Sequence, residues 1–190
     1  MHKYIMFGPQ GSGKSTQSRM LAARFDFVHV SVGEILRWHG EHRTKLGSRV
    51  RRIVDSGRLV PDDMVQSVVQ ERLSQHDWNY GLVLDGFPRN LAQAKFLRES
   101  WNFDKIIHLD VPDEVVFERV RARASAGWGS GFTKRADDNP DSIRARIEEY
   151  QLATKPLLEI YEKWNTLIHV EGTLPISEVF SRITYALGLR

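Results

Sequence analysis

Short, almost wholly apolar runs alternate along the chain with longer segments in which apolar residues recur at helical spacing. The apolar runs have the length and composition of strands, and they cover residues 3–7, 27–31, 80–85, 105–110 and 167–170. A helical segment follows the first strand, and others begin near Pro61 and near Asn90. A further one runs from Pro112 to about Ala124. A long one begins at Asn139 and is broken at Pro156, and a last one ends the chain. Strands that alternate with helices pair in parallel, so the pattern predicts an α/β fold with helices on both faces of one sheet.

Residues 32–60 depart from this alternation and are predicted to be an insertion made of short helices. Leu46, Val50, Ile53 and Val54 share one face of a helix there. Ser56 and Gly57 are a plausible stop for that helix.

The first strand leads directly into residues 8–16, GPQGSGKST, and a helical pattern follows at once. Glycines at this spacing let successive N–H groups turn toward an anion, and the start of the helix adds partial positive charge. Lys14 can reach the outer phosphates, and the Ser15 hydroxyl can ligate Mg²⁺. The strand, the spacing and the helix together predict a site for a nucleoside triphosphate.

A second group of polar residues follows the third apolar strand, in residues 85–89, DGFPR. In a parallel sheet, ligands bind beyond the carboxyl ends of the strands, so Asp85 is predicted to lie near the phosphate loop. A carboxylate there can hold Mg²⁺ through water, opposite Ser15. Arg89 is placed for a second anion, which a guanidinium binds with two parallel hydrogen bonds.

Composition narrows the class of protein only slightly. The 190 residues include 41% hydrophobic and 27% charged residues, which is typical of one globular domain. There is no cysteine, which excludes disulfides and cysteine-bound metal. No apolar run approaches the length of a membrane span, and no targeting segment is evident, so we expect a cytoplasmic protein without a membrane partner. The net charge of +3 is compatible with nucleic-acid binding, but arginines gathered around phosphates explain it as well, and we expect no nucleic-acid partner.

Together, residues 8–16 and 85–89 resemble the corresponding segments of the nucleoside monophosphate kinases, and most closely those of the adenylate kinases. Further stretches that resemble the same family are residues 31–37 (SVGEILR), residues 57–61 (GRLVP), Gln93, residues 135–139 (RADDN) and the arginine-bearing residues 144–150. The similarity covers nearly the whole chain in order.

The resemblance implies a P-loop three-layer α/β/α fold around a five-stranded parallel sheet. It places the core at residues 1–30, 61–120 and 136–190, a nucleoside-monophosphate-binding insertion at 31–60, and a short lid at 121–135. It also implies transfer of the γ-phosphoryl group of Mg-ATP to AMP by a monomer that uses no zinc. Trp128 and Phe132 lie in the glycine-rich part of the lid, where we expect them to pack on the lid itself.

The resemblance also assigns roles to individual residues. It assigns catalysis to Lys14, Arg89, Arg123, Arg135 and Arg146. It assigns ATP binding to Gly11, Ser12, Gly13, Lys14, Ser15, Thr16, Arg119, Arg123, Gly172 and Leu174. It assigns AMP binding to Val32, Arg37, Arg58, Leu59, Val60, Gly86, Phe87, Pro88, Arg89, Gln93, Arg135 and Arg146. The Mg²⁺ ligands would be Ser15 and, through water, Asp85. Asp137 and Asp138 resemble acids that orient the lid arginines.

Three alternatives stay open at this point. Val32 stands where adenylate kinases carry threonine, and a small apolar residue there is typical of the UMP/CMP kinases. Gln93 favours AMP, because its amide offers both a donor and an acceptor to a purine, but its spacing from Asn90 is also that of a helix-capping pair. A nucleotide-dependent binding or regulatory module would keep the phosphate loop but would not need Arg37, Arg89 and Gln93 together.

Overall fold

Each predicted strand is present in the computed structural model, which describes residues 2–42, 44–55, 60–125 and 139–189. The strands are Lys3–Phe7 (β1), Val28–Ser31 (β2), Leu82–Asp85 (β3), Lys105–Asp110 (β4) and Leu167–Glu171 (β5). Within the described ranges they form one sheet in the order β2-β3-β1-β4-β5, and every pair is parallel. This agrees with the expected five-stranded parallel sheet.

The strand order places β1 at the centre of the sheet, between β3 and β4. In register, Met6 of β1 lies opposite Asp85 of β3, and Phe7 lies opposite His108 of β4. The loop that follows β1 therefore lies beside the carboxyl end of β3. This brings the two polar groups found in the sequence to the same edge of the sheet.

The helices connect the strands as the apolar pattern predicts. Their bounds are Lys14–Phe25 (α1), Val32–Glu41 (α2), Lys45–Asp55 (α3), Asp62–Ser74 (α4), Leu91–Ser100 (α5), Asp113–Ser125 (α6), Pro140–Glu149 (α7), Leu157–Lys163 (α8) and Ile176–Ala186 (α9). Side chains cap several of their N-termini: Asn90 accepts from the Gln93 N–H at 2.9 Å, and Asn139 accepts from the Ser142 N–H at 2.9 Å. Among the described residues, no helix combines the length and the hydropathy needed to cross a membrane.

Side chains of β1 alternate between the two faces of the sheet and define three layers. Tyr4 and Met6 pack in a buried cluster with residues of α1 and α9. Ile5 and Phe7 pack in a second cluster with residues of α2, α4, α5 and α8. Because the central strands are covered on both faces, they read as continuous apolar runs rather than as alternating ones.

The break predicted at Pro156 takes the form of a π-helical segment, Tyr150–Thr154, between α7 and α8. The Lys155 N–H donates to the Tyr150 carbonyl at 2.8 Å, the wider spacing of a π-turn. Proline has no N–H and its ring clashes with the preceding turn, so the helix widens before Pro156 and α8 begins after it.

The predicted insertion contains two helices, α2 and α3, which pack against each other. The Ser31 hydroxyl caps α2 by accepting from the Glu34 N–H at 3.4 Å. Val50 of α3 is fully buried and joins the cluster that also contains Leu36. The stop predicted at Ser56 and Gly57 lies outside the described residues.

A buried histidine links three elements of the core. His108 of β4 is 5% exposed. Its Nε2 lies 3.1 Å from the hydroxyl oxygen of Tyr150, and its Nδ1 lies 3.3 Å from Nδ1 of His169 on β5. Burial lowers the pKa of His108 to about 4; Asp110 partly opposes the shift, whereas the neighbouring His169 adds to it. The imidazole is therefore neutral in the fold at ordinary pH.

Because the pKa of His108 is lowered in the fold, we expect the free energy of unfolding to fall in mild acid. The unfolded chain takes up the proton at the ordinary pKa of 6.5, whereas the folded protein takes it up near 4. Above pH 6.5 neither state binds the proton; as the pH falls from 6.5 to 4, only the unfolded state does, so stability is lost across that window. The shift corresponds to about 3 kcal/mol in total, and about 2 kcal/mol of it is lost by pH 5.

Urea unfolding of the wild type and of His108→Gln at pH 7.5 and pH 5.0 measures this loss. We expect the wild type to lose about 2 kcal/mol more than the variant between the two pH values. Equal losses in the two proteins would contradict the assignment to His108.

Candidate active site

Three glycines of the loop between β1 and α1 have a positive φ, which favours glycine: Gly8, Gly11 and Gly13. Gly11 has φ +89°, and a β-carbon on it would lie 2.6 Å from Cγ2 of Val120 on α6. Gly13 has φ +101° and caps α1, which begins at Lys14. The N-terminus of α1 therefore points into the loop, where its partial positive charge favours an anion.

Two buried polar side-chain atoms of this loop are placed where they could bind an anion. Ser12 is 2% exposed. Its hydroxyl and the Nε2 of Gln10 have no hydrogen-bond partner in the part of the chain that the structure describes. An unpaired buried polar group costs about 1–3 kcal/mol, which a phosphate oxygen at either atom would offset. The Lys14 ammonium donates to the Pro9 carbonyl at 2.7 Å, across the same loop.

Asp85, at the end of β3, lies directly beside the phosphate loop. The Ser15 hydroxyl donates to its carboxylate at 2.5 Å, and Nε2 of His29 on β2 lies 3.8 Å from the same oxygen. Asp85 is 3% exposed, and burial alone would raise its pKa. His29, Lys14 and Ser15 outweigh that effect and lower the pKa of Asp85 below its ordinary value. The carboxylate is therefore ionised beside a hydroxyl, and together they form an oxygen-rich site.

Arginines from separate elements meet opposite this carboxylate. Arg37 of α2 is partly buried, and burial lowers its pKa; the charge of Arg123 on α6 lowers it further, while Glu34 and Asp85 raise it. Arg146 of α7 donates to Oε1 of Gln10 in the phosphate loop at 2.8 Å. Arg37 thus lies near both Arg123 and Asp85, and Arg146 contacts the phosphate loop. Their roles in the site stay a prediction.

Arg89 follows a tight turn that begins at Gly86. Gly86 has φ +82°, and the Phe87–Pro88 peptide bond is cis. The Nε of Arg89 donates to the Gly86 carbonyl at 3.0 Å. A β-carbon on Gly86 would lie 3.7 Å from both Nη2 of Arg89 and the backbone nitrogen of Gly33. The turn therefore sets the Arg89 side chain against the start of α2.

Gln93 is buried, with 1% exposure, and its side chain is bonded at both ends. Its Oε1 accepts from the Arg89 N–H at 2.8 Å, and its Nε2 donates to Oδ1 of Asp62 at 2.7 Å. The capping alternative is confirmed, because the Gln93 N–H donates to the Asn90 side chain. The predicted contact of Gln93 with a purine base stays a prediction.

The predicted site for the ATP base has its parts close together. Nη1 of Arg119 lies 3.5 Å from the Ser12 carbonyl, and Nη2 lies 3.5 Å from the Thr173 carbonyl. Gly172 is buried, and a β-carbon there would lie 2.5 Å from Cγ2 of Val111. Arg119 thus connects the phosphate loop to the turn that contains Leu174.

Val32 and Val60, two of the predicted AMP-side residues, are both buried. They belong to the cluster that also contains Phe87. Other predicted residues lie outside the described part of the chain, namely Arg58, Leu59, Trp128, Phe132, Arg135, Asp137 and Asp138.

Four residues in or around the site were not predicted from the sequence: Gln10, His29, Asp62 and Thr154. Each acts through a partner that is distant in sequence, as in the hydrogen bond from Thr154 Oγ1 to the Arg89 carbonyl at 2.7 Å. Only the strand order would have revealed His29, because β2 pairs with β3 and brings it beside Asp85. Among the described residues, no three His, Asp or Glu side chains are grouped closely enough to hold a metal ion by themselves.

A strand, a glycine-rich loop and a helix, with a carboxylate at the end of the adjacent strand, define a P-loop nucleotide-binding protein. The arginines of α2, α6 and α7, together with Arg89, mark it as one that transfers a phosphoryl group.

Comparison with known proteins agrees with this class. The adenylate kinase family profile matches residues 6–166. An adenylate kinase from Cyanothece sp. (strain PCC 7425) is 39% identical over 190 residues, covering 97% of this chain and 94% of its own length. Adenylate kinase 1 from Nostoc sp. (strain PCC 7120) is 38% identical over 193 residues, covering 99% and 100%. An adenylate kinase from Xanthomonas euvesicatoria pv. vesicatoria is 38% identical over 191 residues, covering 98% and 99%.

The chain belongs to the adenylate kinase family. It is an enzyme, a nucleoside monophosphate kinase, as the sequence resemblance predicted.

Proposed function

We propose that this site moves the γ-phosphoryl group of Mg-ATP to AMP and so produces two molecules of ADP. The observation that supports the proposal is that arginines from separate helices lie beside the phosphate loop and the end of β3. Arg146 bonds to Gln10 of the phosphate loop, while Arg37 lies near both Arg123 and Asp85. Since the attacking oxygen already belongs to an ionised phosphate, the reaction needs charge neutralisation and alignment rather than a general base.

On the donor side, the loop residues from Gly11 to Thr16 surround the ATP phosphates. Lys14 lies at the start of α1, where its ammonium can neutralise charge on the phosphoryl group as it transfers. Arg119 and the turn from Gly172 to Leu174 hold the base, with the arginine against one face of the adenine. Arg123, Arg135 and Arg146 complete the charge around the moving group.

The residues at the end of β3 fit a magnesium ion. Ser15 and Asp85 offer the hard oxygen ligands that Mg²⁺ prefers, and the lowered pKa keeps Asp85 ionised. Ser15 would bind the ion directly and Asp85 through water. When bound, the ion would neutralise negative charge on the transferring phosphates.

On the acceptor side, Arg37 and Arg89 hold the AMP phosphate. The base lies among the residues around the start of α2 and the Gly86 turn. The residues proposed to surround the acceptor base are Val32, Arg58, Leu59, Val60, Gly86, Phe87, Pro88 and Gln93. Val32 and Gln93 bear on the choice of base, since Val32 offers no hydroxyl to a purine and the Gln93 amide offers a donor and an acceptor.

We further propose that residues 31–60 and the lid at 121–135 move over the core during the cycle. Closure would keep water from accepting the phosphoryl group. The protein would act as a cytoplasmic monomer on ATP, AMP and ADP, with no nucleic-acid or membrane partner and no zinc.

A UMP/CMP kinase is the second candidate, because Val32 is apolar where adenylate kinases carry threonine. Assays with AMP, CMP, UMP and GMP as separate acceptors compare the two. We expect kcat/KM for AMP to exceed every other value at least tenfold. A tenfold preference for CMP or UMP would assign the acceptor site to a pyrimidine.

Val32→Thr tests the same position by adding the hydroxyl that adenylate kinases carry there. A hydrogen bond worth about 0.5–1.5 kcal/mol would lower KM for AMP by about 2–10-fold. KM for ATP should not change, which serves as the internal control. An unchanged KM for AMP would show that this position does not contact the acceptor base.

A further inference from the structure

Arg89 lies in the short segment between β3 and α5. It follows the Gly86 turn and precedes Asn90, the N-cap of α5. The Arg89 side chain is exposed at the edge of the sheet. Its backbone N–H donates to the side chain of Gln93 on the helix that follows, and its carbonyl accepts from the side chain of Thr154, 65 positions away. Those two bonds hold the peptide groups on both sides of Arg89, while the Nε of its side chain donates to the Gly86 carbonyl at 3.0 Å.

The N–H of Arg89 is held from the side of α4 and α5. It donates to Oε1 of Gln93 at 2.8 Å. The other end of that amide donates to Oδ1 of Asp62 at 2.7 Å, and the Asn90 side chain donates to the same oxygen at 2.8 Å. Because a carboxylate only accepts, Asp62 fixes which end of the Gln93 amide faces Arg89.

The carbonyl of Arg89 is held from the π-helical segment. Thr154 is buried, with 7% exposure, and its hydroxyl donates to the Arg89 carbonyl at 2.7 Å, across 65 positions of sequence. The same segment is anchored by two other residues. Tyr150 bonds to His108 of β4, and Nε2 of Gln151 donates to both oxygens of Asp113 at 2.9 Å.

The π-helical segment therefore connects to three separate parts of the core. It also continues α7, and Arg146 lies about one turn before Tyr150. The π-helical segment thus anchors the C-terminal end of α7, the helix that carries Arg146, and it also holds the backbone of Arg89. Both arginines belong to the proposed transfer site.

We propose that Thr154, together with Gln93, is a positioning residue that holds the peptide groups of Arg89 from two sides and aims its guanidinium at the acceptor phosphate. The proposal rests on the proposed function of Arg89 as a ligand of that phosphate. A long side chain amplifies any rotation of its backbone, and a displacement of about 1 Å in a positioned group can cost about 10²-fold in rate.

Thr154→Val tests the proposal, because valine keeps the shape of threonine and removes the hydroxyl. We expect kcat/KM for AMP to fall at least tenfold while KM for ATP stays within twofold of the wild type. Thr154→Ser retains the hydroxyl and should stay within threefold on both measures. If the valine variant does not fold, Thr154→Ala is compared with Thr154→Ser in the same way.

Thr166→Val is the matched control. The Thr166 hydroxyl also donates to a backbone carbonyl, that of Tyr161 at 3.2 Å, but away from the site. We expect its loss to lower the unfolding temperature by an amount similar to Thr154→Val and to leave kcat/KM for AMP unchanged. If both variants lower kcat/KM for AMP equally, Thr154 has only a structural role and the proposal is overturned.

Arg89→Ala separates failure of this inference from failure of the proposed function. Arg89→Ala alone should lower kcat/KM for AMP strongly, and adding Thr154→Val to it should change the value by less than twofold. If Arg89→Ala alone retains kcat/KM within threefold, the assigned role of Arg89 is wrong. If Arg89→Ala is impaired but Thr154→Val has wild-type kinetics, or has the same effect in both backgrounds, the positioning role is wrong.

Discussion

Replacing Lys14 with methionine should lower kcat about 10³-fold, the effect expected for removing a preorganised charge from a phosphoryl-transfer site. The ammonium lies at the N-terminus of α1 and crosses the phosphate loop to the Pro9 carbonyl. Methionine keeps most of the length of the side chain but cannot neutralise charge on the moving group. Because the lost hydrogen bond contributes only about 1 kcal/mol, the variant should still fold.

Lys95→Met provides the matched control for Lys14→Met. Lys95 lies on the exposed face of α5, away from the phosphate loop. Steady-state rates with saturating ATP and AMP, and urea unfolding of the same samples, separate catalysis from stability. The account is wrong if Lys14→Met retains more than a tenth of wild-type kcat, or if Lys95→Met loses as much.

Asp85→Asn is expected to have the second largest effect. The substitution preserves shape but removes the negative charge that the fold stabilises beside Ser15, Lys14 and His29. Residues that act on a metal through an intervening group typically contribute 10–100-fold to metal affinity or activity. We expect kcat/KM to fall by about this factor, and the Mg²⁺ concentration for half-maximal rate to rise at least tenfold.

Asp110→Asn is the matched control for the carboxylate. Asp110 ends the neighbouring strand β4, but it is exposed, and it is not among the residues assigned to the site. A titration of rate against Mg²⁺ should give the wild-type midpoint for Asp110→Asn and a shifted one for Asp85→Asn. Identical midpoints in all three proteins would remove Asp85 from the metal site.

The sequence was most informative where one local pattern carries both structure and chemistry. Residues 8–16 combine strand, glycine loop and helix, and the structure has this arrangement with positive φ at Gly11 and Gly13. The predicted strands are likewise present, with β2 beginning at Val28 and β3 at Leu82, each slightly later than the apolar run suggested. Local periodicity predicts an element well because the element buries its own apolar residues.

Local sequence patterns did not predict contacts between residues that are far apart in the chain. Strand order decides that His29 lies beside Asp85, and apolar runs are equally compatible with several orders. The capping spacing of Asn90 and Gln93 predicted one hydrogen bond of Gln93. Its bonds to Arg89 and Asp62 depend on how α4 packs against α5. For the same reason, nothing near Thr154 in the sequence indicates that it reaches Arg89.

The proposed reaction requires two anion sites that face each other and a phosphoryl group that passes directly from one nucleotide to the other. Incubation with Mg²⁺, unlabelled AMP and ATP labelled with ³²P in the γ-phosphate tests it in one measurement. We expect to recover the label in the β-phosphate of ADP, with two ADP formed for each ATP consumed. Label released as inorganic phosphate, or consumption of ATP that does not depend on AMP, would contradict it.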